Sequence, residues 1–65
     1  MFFFILSIVL TKNLKVNHIL KKEDMTVKVA DPKGLNPNIM FEILGKKINK
    51  DKDFDETLTN EDLVL

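Results

Sequence analysis

The sequence predicts a small α+β domain in which two antiparallel hairpins and a short or broken helix enclose one core. Three observations carry that prediction. Residues 1–10 form an unbroken apolar run, residues 39–44 alternate in register ahead of a Gly45-Lys46 turn, and residues 25–34 hold a helix-compatible stretch that ends against Pro32 and Gly34. At 65 residues there is room for a single domain spanning 1–65, and a chain of this size buries a smaller share of its surface than a typical domain.

The first run, Met1-Phe2-Phe3-Phe4-Ile5-Leu6-Ser7-Ile8-Val9-Leu10, is too short for a spanning helix, which needs about 20 apolar residues. Lys12 ends it, and neither a basic leader nor a small-residue cleavage site frames it as a signal peptide. Its Phe, Ile and Val content suits a strand, and apolar residues at both parities require cover on both sheet faces. Thr11-Lys12-Asn13 then breaks the pattern, and residues 14–18 alternate apolar with polar. Two such runs across a short turn predict an antiparallel hairpin. His18 falls on the polar parity and reads as a surface residue.

Residues 25–34 admit two readings. In one, Thr26 caps a helix whose Val27 and Ala30 face inward and which Gly34 terminates. In the other, Met25, Val27 and Val29 alternate as a strand that leads into an Asp31-Pro32-Lys33-Gly34 turn. Pro32 limits the helix in either case, because it disfavours the αR conformation at Asp31 and cannot lie deep within a helix.

From Ile39 to Leu44 the parity is clear: Ile39, Phe41 and Ile43 share one face, and Met40, Glu42 and Leu44 the other. Gly45-Lys46 fits a type II′ hairpin turn, with residues 46–49 as a short lysine-rich return strand of the kind that discourages edge pairing. Residues 49–56 read as a charged loop pinned to the core by Phe54 and then by Leu58. Asn60-Glu61-Asp62 reads as a turn before a last strand that begins at Leu63 beside the first.

Composition excludes several functions. Without cysteine there is no disulfide, thiolate metal site or cysteine nucleophile, which is compatible with a cytoplasmic location. Ten lysines and ten acids balance formally, but six of the acids lie in residues 51–62. No arginine, tyrosine or tryptophan is present, so the bidentate forks and most stacking platforms of nucleic-acid recognition are missing. The two glycines cannot make a phosphate loop. The 51–62 stretch has Glu56 and Asp62 where a calcium loop needs Gly and Glu. No pattern points to a catalytic residue, a cofactor or a metal, and the chain is not expected to be an enzyme.

Residues 34–62 resemble archaeal members of the small sulfur-carrier and ubiquitin-like modifier superfamily. The likeness lies in Gly34-Leu35-Asn36-Pro37-Asn38, the alternating run, Gly45-Lys46-Lys47-Ile48, a charged loop, and Leu58-Thr59-Asn60-Glu61-Asp62-Leu63-Val64-Leu65. The resemblance implies a β-grasp (ubiquitin-like) fold with a mixed sheet, and a sulfur-carrier role in thiamine or molybdopterin synthesis. It also implies a partner, an ATP-using adenylating enzyme of the ubiquitin-activating type, acting on a terminal Gly-Gly. This sequence stops at Leu65 without that diglycine, so the resemblance implies a carrier that is inactive in this form, or one truncated at its C-terminus. The alternative function is a stand-alone ubiquitin-like binding module that holds a protein partner on a sheet face including Met40 and Leu44. A weaker alternative is a small membrane-associated peptide anchored by residues 2–10. A homo-oligomer is a further expectation, since a second copy would cover the apolar first strand.

Overall fold

A computed structural model describes residues 6–30 and 33–64. The first strand, β1, is Leu6–Leu10, and it pairs antiparallel with β2, Met25–Val29, in the register Leu6↔Val29, Ile8↔Val27 and Leu10↔Met25. Three 3-10 turns punctuate the rest: η1 at Lys22–Asp24, η2 at Pro37–Ile39 and η3 at Asn60–Asp62. Other chain pairings are single bridges, Val9↔Thr57, Leu14↔Lys52, Ile19↔Lys47 and Ile48↔Leu63. No α-helix occurs among the described residues, so the helix-bearing β-grasp expectation is corrected to a small, mostly β fold.

The segment with two readings takes the strand. Residues 25–29 pair with β1, but of the alternating set only Met25 is buried, while Val27 and Val29 are exposed. The turn expected after it falls partly on Asp31 and Pro32, outside the described residues, as do residues 1–5 of the apolar run. From Ser7 onward β1 is buried at both parities, and Ile8 and Leu10 belong to the core. That core also gathers Leu14, Leu20, Met25, Ile43, Ile48, Leu58 and Leu63.

Two further expectations are corrected. Residues 14–20 do not form a hairpin with β1. Asn17 sits at φ 72° and breaks the extended run, so Leu14 and Ile19 reach across to Lys52 and Lys47 instead. Residues 39–44 are not a strand. The Asn36 side chain accepts from the N–H of Asn38 at 2.9 Å and Pro37 occupies the first helical position, which starts a helical turn where parity predicted extension. Ile39 and Ile43, four apart, then face the core together, while Phe41 is 70% exposed. Gly45 ends that turn at φ 86°. A left-handed position of this kind favours glycine. The last strand, finally, bridges Ile48 rather than lying beside β1.

The molecule is built twice over. Residues separated by 38 positions make matching hydrogen bonds. Leu10 donates its N–H to Glu56 O at 3.0 Å, and Ile48 donates to His18 O at 3.1 Å. Asp55 donates to Leu10 O at 3.0 Å, and Asn17 donates to Ile48 O at 2.9 Å. Leu14 and Lys52, themselves 38 apart, exchange both backbone bonds at 2.8 Å, so a pseudo-two-fold axis runs through that pair. Asn17 and Asp55 correspond as well, with φ of 72° and 70°. Asn and Asp tolerate this conformation better than other residues with a Cβ.

Candidate functional site

Each half ends in the same device. In η1, Asp24 is buried and its Oδ2 accepts the N–H of Lys21 at 2.9 Å; in η3, buried Asp62 uses Oδ2 to accept the N–H of Thr59 at 2.9 Å. The carboxylate turns back onto the N–H three residues earlier and satisfies a donor that the short helical turn leaves unpaired. A buried carboxylate also needs countercharge, and the two halves supply it differently. Asp24 receives His18 Nε2 at 2.7 Å and Lys12 Nζ at 3.5 Å. Asp62 receives Lys50 Nζ at 3.1 Å and Lys52 Nζ at 3.0 Å, with the Thr59 hydroxyl donating at 3.0 Å.

The electrostatics follow from these contacts. Burial works to raise the Asp62 carboxyl, but the Thr59 N–H, the two ammonium groups and the Thr59 hydroxyl outweigh it and hold the group at about 2. At Asp24 burial acts in the same direction and is likewise overcome, by the hydrogen bonds from His18 and Lys21 and by the charges of His18 and Lys12, leaving the carboxyl below its ordinary value. Burial would lower the Lys52 ammonium, yet its hydrogen bonds to Asp62 and to Glu56 Oε2, the latter at 3.1 Å, raise it. All three groups are therefore fixed in their charged forms at neutral pH. None is poised to exchange a proton there, as a general acid or base must be.

A groove of about 500 Å³ opens over the Asp62 device, lined by Ala30, Lys50, Lys52, Asp55, Glu56, Thr57, Thr59 and Asp62. Lys52 is held nearly out of solvent beneath it, while Lys50 is more than half exposed. The walls present ammonium donors, carboxylate acceptors and threonine hydroxyls at nearly balanced charge. Such a lining suits a polar ligand with several hydroxyl or carboxylate groups better than an apolar one. Among the described residues, no group of three or more His, Asp or Glu side chains could hold a metal ion.

The residues singled out by sequence lie elsewhere. Met40 is half-buried against the core and Leu44 lies just past it on the same helical turn, so the two do not share an open sheet face. Phe54, read as a core anchor, is 60% exposed with the Lys28 ammonium 5.8 Å from its ring centroid; the loop is held by Leu58, which is fully buried, and by backbone bonds. His18 is half-buried rather than a free surface group, with 31% of its side chain exposed. The overlooked signal is an internal repeat. Leu20-Lys21-Lys22-Glu23-Asp24-Met25 and Leu58-Thr59-Asn60-Glu61-Asp62-Leu63 share Leu-x-x-Glu-Asp before an apolar residue, and Lys12 and Lys50 precede the two aspartates at equal distance.

The model of the SAF domain family matches residues 7–64, nearly the whole chain. The chain belongs to the SAF domain family. Among solved structures, this SAF domain is similar to the solution structure of an antifreeze protein-like domain in the human N-acetylneuraminic acid phosphate synthase gene. The TM-score is 0.84 at 32% identity, over 91% of this chain and 75% of that one. No curated protein matches the chain. These findings overturn the sulfur-carrier resemblance and, with it, the carrier role in thiamine or molybdopterin synthesis. The motifs that carried the resemblance were turn chemistry: Asn36-Pro37 starts a helical turn in the SAF domain, and Asn60-Glu61-Asp62 closes a carboxylate onto Thr59. The adenylating-enzyme partner rested on that resemblance alone.

Proposed function

We propose that this SAF domain is a non-catalytic binding domain serving a synthase of the N-acetylneuraminic acid phosphate type. In this reading it holds a sugar acid in the Lys50–Lys52–Asp62 groove while bonds are made elsewhere. The observation that carries the reading is the 32% identity, across 91% of the chain, to a domain in the gene for such a synthase. The groove supports it through its chemistry: the Lys50 ammonium, more than half exposed, can meet a carboxylate or phosphate, and Thr57 and Glu56 can meet hydroxyls.

The test is a titration of the isotopically labelled chain with N-acetylneuraminic acid and its phosphate, followed residue by residue in amide NMR spectra. Saturable shifts centred on residues 50–62, lost in Lys50→Ala, are the expected result. Shifts centred outside the groove, or none at millimolar ligand, overturn the reading.

A further inference from the structure

The pseudo-two-fold relates two three-stranded rows of side chains that have opposite fates. In the first half the row is Thr57–Val9–Thr26, set by the Val9↔Thr57 bridge and the β1–β2 register. In the second half the corresponding row is Ile19–Lys47–Val64, set by the Ile19↔Lys47 bridge and by the Val64 N–H donating to Lys47 O at 2.8 Å. Residues directly opposite one another across strands share a face.

Val9 is only 1% exposed, and residues of its own chain stand against the row. Lys28 stretches across to Asp55 at 2.8 Å, and Gly34 stands against Thr57 with its N–H donating to Ser7 Oγ at 2.9 Å. Over the second row nothing comparable passes among the described residues. Ile19 is 49% exposed and Val64 43%, with Lys47 exposed between them.

From this asymmetry we propose that the Ile19–Lys47–Val64 row is a docking surface for an extended, acidic peptide segment of a partner protein, laid over it as Lys28 and Gly34 are set against the Val9 row. Two arguments select the occupant. Lys47 and Lys21, which lies two residues beyond Ile19 on the same parity, are among the five lysines that make no ion pair among the described residues, and they lie together at this row. A segment alternating apolar and acidic residues would fill the flanks and neutralise the centre. A second copy docked symmetrically through this row would instead set Lys47 against Lys47, a like-charge contact that disfavours self-association.

The probe is a fluorescent nonapeptide alternating valine with glutamate, compared with one alternating valine with lysine, both titrated against the intact 65-residue chain at low salt. The expected result is saturable binding of the acidic peptide alone, with amide shifts centred on Ile19, Lys47 and Val64. Lys47→Glu and Ile19→Ser should each weaken it by about tenfold, with unchanged circular dichroism. The lysines of the sugar-acid groove are left intact, so failure here leaves the groove reading standing, and Lys50→Ala should not affect the peptide. Equal binding of both peptides, binding that survives Lys47→Glu, or shifts centred outside the row overturn the proposal. So does sedimentation as a dimer that Ile19→Ser dissolves. Row-dependent binding to phosphatidylserine vesicles without binding of the acidic peptide would assign the surface to a membrane and overturn it as well.

Discussion

Asp24 and Asp62 occupy one position of a repeated fold, 38 residues apart, yet Asp24 is balanced by a histidine and a distant lysine where Asp62 is balanced by two close lysines. The difference predicts unequal costs of neutralisation. Asp62→Asn leaves the nearly buried Lys52 ammonium with only Glu56, and stranding half of a buried pair costs about 3 kcal/mol or more. Asp24→Asn strands less charge, because the Lys12 ammonium it leaves behind is half exposed and already 3.5 Å away. Its cost should be about 1–2 kcal/mol, that of a weakened hydrogen-bond set. Urea denaturation should rank wild type above Asp24→Asn and Asp24→Asn above Asp62→Asn. The reverse order would contradict the charge assignment.

The same carboxylates set the acid limb of stability. A carboxyl whose folded value lies below its unfolded one stabilises the protein above the unfolded value, and that contribution is lost as pH falls through the folded value. Asp62, drawn from 3.8 to about 2, therefore gives up stability between about pH 4 and pH 2, a contribution on the order of 2 kcal/mol. Asp24 shifts in the same direction and adds to the same limb. Lys52, raised from 10.5, stabilises fully below that value and loses its contribution as pH climbs past it. Urea midpoints should stay level near neutrality, drop below pH 4, and drop again in strong alkali. Asp62→Asn should flatten the acid drop, and an undiminished drop in that variant would place the sensitive group elsewhere.

Leu58 and Phe54 bracket one loop and exchange the importance that hydrophobicity alone assigns them. Leu58 is fully buried in the core, and its truncation to alanine should cost about 2–5 kcal/mol. Phe54 is mostly exposed, with the Lys28 ammonium over its ring, so Phe54→Ala should cost no more than about 1 kcal/mol. Thermal or urea unfolding of the two variants separates them directly. Equal losses would return Phe54 to the core.

What local pattern could reveal of this fold was the apolar payload. Leu10, Leu14, Leu20, Ile43, Ile48, Leu58 and Leu63 all stand out in the sequence and all reach the core. Pairing was not legible, because β1 takes its partner across an intervening 14 residues and the remaining ladder consists of isolated bridges that leave no run of alternation. At residues 39–44 two periodicities coincide: Ile39 and Ile43 are in phase for a strand and also four apart for a helical turn, and only the Asn36-Pro37 start separates the cases. The candidate site hid for another reason. Asp24 and Asp62 look like ordinary turn acids, and their shared role emerges only when the halves are compared at a spacing of 38.

Gly34 provides the sharpest steric prediction, because what surrounds it is backbone rather than flexible side chain. A Cβ there would lie 2.8 Å from Leu58 O, 2.9 Å from Thr57 Cβ and 3.2 Å from Ile8 O. Those carbonyls are already committed: Leu58 O accepts from Leu35 N at 2.7 Å, Ile8 O accepts from Leu58 N at 3.0 Å, and Ile8 N donates to Leu35 O at 2.9 Å. Moving any one of them stretches a closed ring of bonds joining β1, the Leu35 segment and Leu58, so the strain has no inexpensive outlet. Gly34→Ala should cost about 2–3 kcal/mol, in the range of overpacking a tight interior. Gly45→Ala is the contrasting case, with open space around the new methyl group and only the φ of 86° to oppose it, which costs about 1 kcal/mol. Urea midpoints of the two variants should fall in that order, and a Gly34→Ala protein as stable as wild type would show that the Leu58 and Ile8 strands can part without loss.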